Sequence, residues 1–246
     1  MKLTVLGCSA PFPLDKGGCP GYLVEGPGGQ VLLEAGPGTL SSLGSVRAYA
    51  SVAAVVLSHL HADHMSDFLV LRYALEAVHH LGLRSEPLVV YAPAEPAALF
   101  SVLPYRQVVR AEPLDESRRV EAGGLSLSFL RTQHPVPCYA VRFEERGKGL
   151  VYTADTSWAE SLVGFAHGAD LLLAEATLME REAALGGQTG HLTAGQAGRL
   201  GAEAGVRRLV ITHLVPFYDA DALRREAEDG FGGPVEVARP GLEVEL

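Results

Sequence analysis

The stretch "LSHLHADHMSD", residues 57–67, holds three histidines and two aspartates directly after the apolar run "VAAVVL". In an extended segment residues two apart face the same side, so His59 and His61 can present their imidazoles together. Asp63 and His64 fall at the turn leading into a helix, and four donors within residues 59–64 can approach one small volume without distant help. Imidazole nitrogens and carboxylate oxygens suit zinc, manganese, iron and other divalent ions; no cysteine stands nearby to suggest a purely structural zinc centre. The donor set favours catalysis. A solvated polar turn is the simpler alternative, and four donors so close behind a buried strand argue against it.

The elements that must position these donors follow from periodicity. "VAAVVLSH" reads as a buried strand, and "MSDFLVLRYALEAVHHLG" carries apolar residues at helical spacing as far as Gly82. The donors therefore sit where a strand hands over to a helix. Before them, "KLTVL", "GYLVEG" and "QVLLEAG" read as short strands punctuated by Gly and Pro. After them come a strand "PLVVYAP", a helix "AEPAALFSVL", and half-buried strands "LSLSFLRTQH", "CYAVRFEE" and "LVYTAD". The last third alternates: helix "WAESLVGFA", strand "DLLLAEA", helix "TAGQAGRLGAEAG", strand "RRLVITH", helix "DALRREAEDG", then a β-rich "PVEVARPGLEVEL". With no repeat, linker or low-complexity tract in sight, residues 1–246 are expected to form one domain with sheets inside and helices outside.

Composition narrows the partners. At 48% hydrophobic and 20% charged residues the chain is expected to fold unaided. The formal charge of −9 opposes an extended nucleic-acid surface, whereas a small anion at a metal site is easily accommodated. Cys8, Cys19 and Cys138 are odd in number and lack CxxC spacing, which argues against a disulfide framework and for a reducing compartment. No segment has eighteen uninterrupted apolar residues, so a cytoplasmic protein without a membrane span is expected. Asparagine is absent and arginine far exceeds lysine, which fits either a GC-rich genome or selection against thermolabile residues.

"HLHADH" resembles the HxHxDH signature of the metallo-beta-lactamase superfamily, and nearly the whole chain is similar to its hydrolase domain. The resemblance implies an α/β fold, a four-layer αββα sandwich with a metal site at one edge of the paired sheets. It carries further positions onto His134 in "TQHPVPCYAVRF", Asp155 in "YTADTS" and His213 in "VITHLVP". It assigns His59, His61 and His134 to one divalent ion, Asp63, His64 and His213 to a second, and Asp155 to both as a bridge. Zinc is the first expectation, with manganese or iron as substitutes. In such a centre the two ions activate water and stabilise the oxyanion as the bond breaks.

"LGCSAPFP", "LLEAGPGT", "ADTS", "AEAT", "GHLTAGQAG" and "RLVITHLVP" together resemble the ribonuclease Z-like phosphodiesterase branch more than lactam or thioester hydrolases. That branch implies that His191 meets the scissile phosphate and aids leaving-group protonation with Asp63, and that Glu175 orients His191. Glu34 takes a position where Asp is common, supporting the metal loop rather than ligating. Gly36 and Gly38 read as a tight turn, with phosphate contact as the alternative. Only 20 residues separate His134 from Asp155, which leaves no room for the RNA-holding arm typical of the branch. A small, possibly cyclic, phosphodiester is therefore the expected substrate. An RNA-processing endonuclease is the runner-up, and a catalytically silent nucleotide-binding protein is a third reading. The resemblance also implies a homodimer. Tyr22, Phe68, Tyr139, Trp158, Phe217 and Tyr218 are candidates for a base or sugar pocket, against the ordinary alternative of core packing.

Overall fold

The computed structural model describes residues 1–14 and 17–246, apart from the side chain of Val46. The first half begins with β1 (Lys2–Gly7), β2 (Gly21–Gly26) and β3 (Gly29–Leu33), then α1 (Thr39–Leu43) and α2 (Val46–Ser51). It continues with β4 (Val52–Val56), α3 (Ala62–His80), β5 (Leu88–Pro93), α4 (Ala97–Phe100) and β6 (Val109–Leu114). The second half opens with β7 (Val120–Ala122), β8 (Leu125–Arg131), β9 (Tyr139–Glu145) and β10 (Lys148–Tyr152), followed by α5 (Glu160–Ala166) and β11 (Leu171–Glu175). It ends with α6 (Ala183–Thr189), α7 (Ala194–Ala204), β12 (Leu209–Thr212), α8 (Ala220–Phe231), β13 (Glu236–Val237) and β14 (Glu243–Glu245).

Two seven-stranded sheets result, ordered β14-β1-β2-β3-β4-β5-β6 and β13-β12-β11-β10-β9-β8-β7. In each, the strands are antiparallel on one side and parallel on the other, the change falling at β3–β4 in the first sheet and at β10–β11 in the second. The halves are thus built alike although the sequence shows no repeat, because equivalent strands need only share burial pattern and not residue identity.

Three apolar clusters fill three interlayer spaces. Val5, Tyr22, Val24 and Leu33 of the first sheet meet Leu127, Phe143, Tyr152 and Leu173 of the second. Leu32, Val55 and Val90 on the first sheet's other face pack on Phe68, Leu71 and Leu75 of α3, and Val151, Leu172 and Ile211 pack on Leu162, Leu200 and Leu223 of α5, α7 and α8. This is the expected αββα sandwich. Both sheets are buried on both faces at their parallel strands, which is why "VAAVV" and "LLLAE" read as continuous apolar runs.

Several elements depart from sequence expectation. β6 carries Pro113 and lies at a sheet edge, where a missing N–H is tolerated. α6, "AALGGQT", has two glycines and no strong helical pattern, so tertiary context holds it. The helix expected over "AEPAALFSVL" shrinks to Ala97–Phe100, beginning after Pro96. α3 starts at Ala62, so Asp63 and His64 belong to its first turn rather than to the turn before it. The three cysteines are free and buried, and among the described residues no helix is long and apolar enough to cross a membrane.

Candidate metal centre

The parallel strands end together, and the donors follow those ends. β3 leads to Glu34, β4 to His59 and His61, β10 to Asp155, and β12 to His213; Glu175 closes β11 and His134 lies between β8 and β9. Strand ends of parallel sheets are where loops converge on ligands. Three non-glycine residues there adopt left-handed backbone: Glu34 at φ 61°, Ala154 at 53° and His213 at 59°. Such conformations are sustained where the surroundings over-determine them, and here all three border one cluster.

His59, His61, His134 and Asp155 bring ligand atoms within 4.8 Å of one another, and so do Asp63, His64 and His213. Asp155 joins the two groups: its Oδ2 lies 3.6 Å from His59 Nε2 and 3.5 Å from His64 Nε2, and its Oδ1 lies 3.3 Å from His213 Nε2. His134 Nε2 faces His61 Nδ1 at 3.3 Å, and His64 Nε2 faces His213 Nε2 at 3.1 Å. All seven side chains expected from the sequence are therefore brought together.

The outward ring nitrogens of His134, His59 and His213 have hydrogen-bond partners. His134 Nδ1 lies 3.1 Å from the Gly190 carbonyl, which only accepts, so Nδ1 carries the proton and a neutral ring keeps its Nε2 lone pair for the cluster. His59 Nδ1 bonds the Ser58 hydroxyl at 3.0 Å. His64 Nδ1 lies 3.4 Å from Glu34, which also accepts from the Ser58 N–H at 3.2 Å and is fully buried. Glu34 thus stands beside the His64 ring and accepts from the loop backbone, and it forms with His59 and His64 a further group whose ligand atoms lie within 4.8 Å of one another. The longer Glu side chain reaches this position from a left-handed backbone.

His213 Nδ1 lies 2.7 Å from Thr177 Oγ1, and Thr177 Oγ1 lies 2.5 Å from Glu175 Oε2. The hydroxyl proton goes to the carboxylate, so the oxygen accepts from His213 Nδ1–H. Glu175 Oε1 accepts from the Thr156 N–H at 2.8 Å and from His191 Nδ1 at 3.0 Å. His191 therefore keeps Nε2 free. Sequence reasoning missed Thr177 as a functional residue, although it stands two residues after Glu175 within the quoted "AEAT". Thr193 caps α7 in a capping box with Gln196, which fixes the backbone just after His191.

Burial and charge act oppositely across the cluster. Desolvation, together with the neighbouring rings, pushes His59 well below the ordinary imidazole value, which suits a neutral ligand. Desolvation pushes Asp155 up, but His213, His64 and His59 together hold it well below the carboxylate range. Desolvation pushes His191 down, and Glu175 more than reverses it, raising the imidazole to about 9. The cluster opens into a cavity of about 320 Å³ that His61, Asp63, His134, Asp155, His191 and His213 all line.

Most of the six aromatic candidates pack, following the ordinary alternative. Tyr22, Phe68 and Tyr139 are core residues. Trp158 packs against the outer helical layer with Arg199 over its ring, and Tyr218 is held by Glu182. Only Phe217 stands exposed. Gly36 serves close approach, since a Cβ there would lie 1.9 Å from the Asp63 carbonyl oxygen; Gly38 takes φ 94°, and neither lines the cavity.

Comparison with known proteins agrees with this architecture. Residues 30–214 match the beta-lactamase superfamily domain. A probable metallo-hydrolase of Bacillus subtilis, YhfI, is 35% identical over 242 residues, 98% of each chain. The crystal structure of that metallo-beta-lactamase fold protein superposes with a TM-score of 0.94, covering 99% of this chain and 98% of the other at 34% identity. A ribonuclease Z of Thermobifida fusca is 27% identical over 308 aligned positions, covering 99% of this chain and 94% of the ribonuclease. The chain belongs to the beta-lactamase superfamily and is a metallo-hydrolase of that fold.

The residues fit the divalent ions that this family implies. His59 Nε2 and Asp155 Oδ1 are buried without any hydrogen-bond partner. The close facing nitrogens of His61 and His134, and of His64 and His213, are likewise arranged for a shared cation.

Proposed function

We propose that the protein hydrolyses a small phosphodiester, cyclic ones included, with two divalent ions held by seven side chains. His59, His61 and His134 would hold one, Asp63, His64 and His213 the other, and Asp155 would bridge them, zinc being the first expectation and manganese or iron the alternatives. When bound, the ions supply an activated water and neutralise charge at phosphorus.

The observation that carries the phosphodiester reading is His191, clamped through Nδ1 by Glu175 with Nε2 free, lining the same cavity as Asp63 and Asp155. From there it stabilises the phosphate and delivers a proton to the departing oxygen as the P–O bond breaks and the water oxygen bonds phosphorus, while the Asp63 carboxylate takes the proton that the water loses. Glu175 keeps the imidazole oriented, while Thr177 links it to His213. The cavity size supports a small substrate. So does the hairpin of β9 and β10, joined through Arg146 and Gly147, which fills the interval between His134 and Asp155. The ribonuclease Z alignment is longer than the present chain, so that relative has insertions missing here.

The test is turnover of linear and cyclic phosphodiesters by protein loaded with zinc or manganese. His191→Ala should lower kcat/KM about 100-fold or more with metal content unchanged. Equal turnover by that variant removes its assigned role. Cleavage of precursor transfer RNA with no turnover of small diesters would favour the RNA-processing reading, and nucleotide binding without any turnover would favour a silent site.

A further inference from the structure

The cavity wall is not all chemistry. Beside the proposed metal ligands and His191 it is made of Pro11, Pro135, Thr177, Leu178 and Thr189, and among the described residues neither Lys nor Arg lines it. Carbon, not charge, meets whatever is attached to the reacting phosphate.

Three exposed apolar side chains stand on the segments that contribute to this wall. Phe12 follows Pro11 and is 44% exposed. Leu185, also 44% exposed, lies one turn before Thr189 on the same face of α6, and the Thr189 hydroxyl donates to its carbonyl at 3.1 Å. Phe217 is 69% exposed, four residues beyond His213.

The segments bearing them are fastened to one another. The Ala10 N–H donates to the Leu214 carbonyl at 2.9 Å and the Leu214 N–H to the Cys8 carbonyl at 2.8 Å, so the Phe12 and Phe217 segments run side by side. Tyr218 meets Phe217 edge-on at 5.0 Å and donates to Glu182, the residue before α6. Exposed apolar side chains concentrated around one cavity mark a binding surface. A cavity of about 320 Å³ is at the small end for ligand sites.

We propose that Phe12, Leu185 and Phe217 form an apolar collar around the metal cavity that receives the nucleobase of a phosphodiester whose phosphate reacts below. The inference rests on the phosphodiester reading. Stacking on an aromatic side chain is tolerant of base identity, so the collar selects for a base rather than for one particular base.

The test compares kcat/KM for the 2′,3′- and 3′,5′-cyclic phosphates of adenosine with those of methyl riboside, which keep the scissile bonds and lack the base. The metal-loaded protein should favour the adenosine compound by about tenfold or more. Phe217→Ala should bring the ratio to within about twofold, Phe12→Ala should lower it, and Phe217→Tyr should keep it. A ratio near one in the unaltered protein, or a ratio untouched in both alanine variants, overturns the collar. Calorimetric binding of AMP against ribose 5-phosphate separates the two claims. If no cyclic phosphate is hydrolysed but AMP binds about tenfold tighter and Phe217→Ala abolishes the difference, the phosphodiester reading fails and the collar stands. Equal affinities sink the collar.

Discussion

Thr177 shows how much one hydroxyl can organise. It donates to Glu175 and accepts from His213, so it sets the tautomer of a proposed ligand and braces the carboxylate that holds His191. Thr177→Val keeps the shape, leaves His213 Nδ1 unpaired and Glu175 Oε2 with only the residue-177 N–H at 3.3 Å, and should weaken the affinity for one of the two ions about 10- to 100-fold. Thr177→Ser should recover it. Competition with a chromogenic chelator reads this directly; two ions held with undiminished affinity in the valine variant would refute the role. Asp170, far from the site, is the comparison case. Its carboxylate accepts from the Gly149 N–H at 3.0 Å and from Lys148 at 3.2 Å, and it pairs with Arg207. Desolvation pushes this carboxyl up, and those partners outweigh it, leaving the value below the ordinary 3.8. A depressed folded value means the stabilisation is present above the unfolded value and is lost as pH falls through the folded one. Asp170→Asn should therefore cost about 1–2 kcal/mol at pH 7 in urea unfolding, and the gap should shrink below pH 3.8.

At the scale of elements, the site depends on how closely α3 approaches the β3–α1 turn. The Ala35 N–H donates to the His64 carbonyl and the Asp67 N–H to the Ala35 carbonyl, which lays the first turn of α3 against Gly36. Gly36→Ala would drive a methyl into the Asp63 backbone and should destabilise by about 1–3 kcal/mol or more, since neither backbone segment can move aside. Gly187→Ala in α6 meets nothing within 4 Å and should stabilise by about 0.5–1 kcal/mol through helix propensity. Denaturation midpoints of the two variants should move in opposite directions; a shift of the same sign would break the argument.

For the whole molecule, the centre is a clamp between halves. His59, His61, Asp63 and His64 come from the first half, and His134, Asp155 and His213 from the second. An ion present at 1,000 times its Kd contributes about 4 kcal/mol of linkage, or roughly 10 °C in Tm for a chain of this size. Excess chelator should lower Tm by about that amount and added zinc should restore it; an unchanged Tm in metal-stripped protein would show that the halves hold together without the clamp. The sequence by itself determined the first four donors, because strand and helix periodicities bring residues 59–64 together locally. It also determined the buried parallel strands, because burial on both faces leaves an unbroken apolar run. With the family resemblance it reached His134, Asp155, His213, His191, Glu175 and Glu34. Only the tertiary structure decided that Thr177 joins the two networks, that Tyr22, Phe68 and Tyr139 belong to the core, and that Phe12, Leu185 and Phe217 stay exposed on segments that contribute to one cavity. Those facts depend on contacts between segments far apart in the chain, and no local period encodes which distant face a side chain will meet.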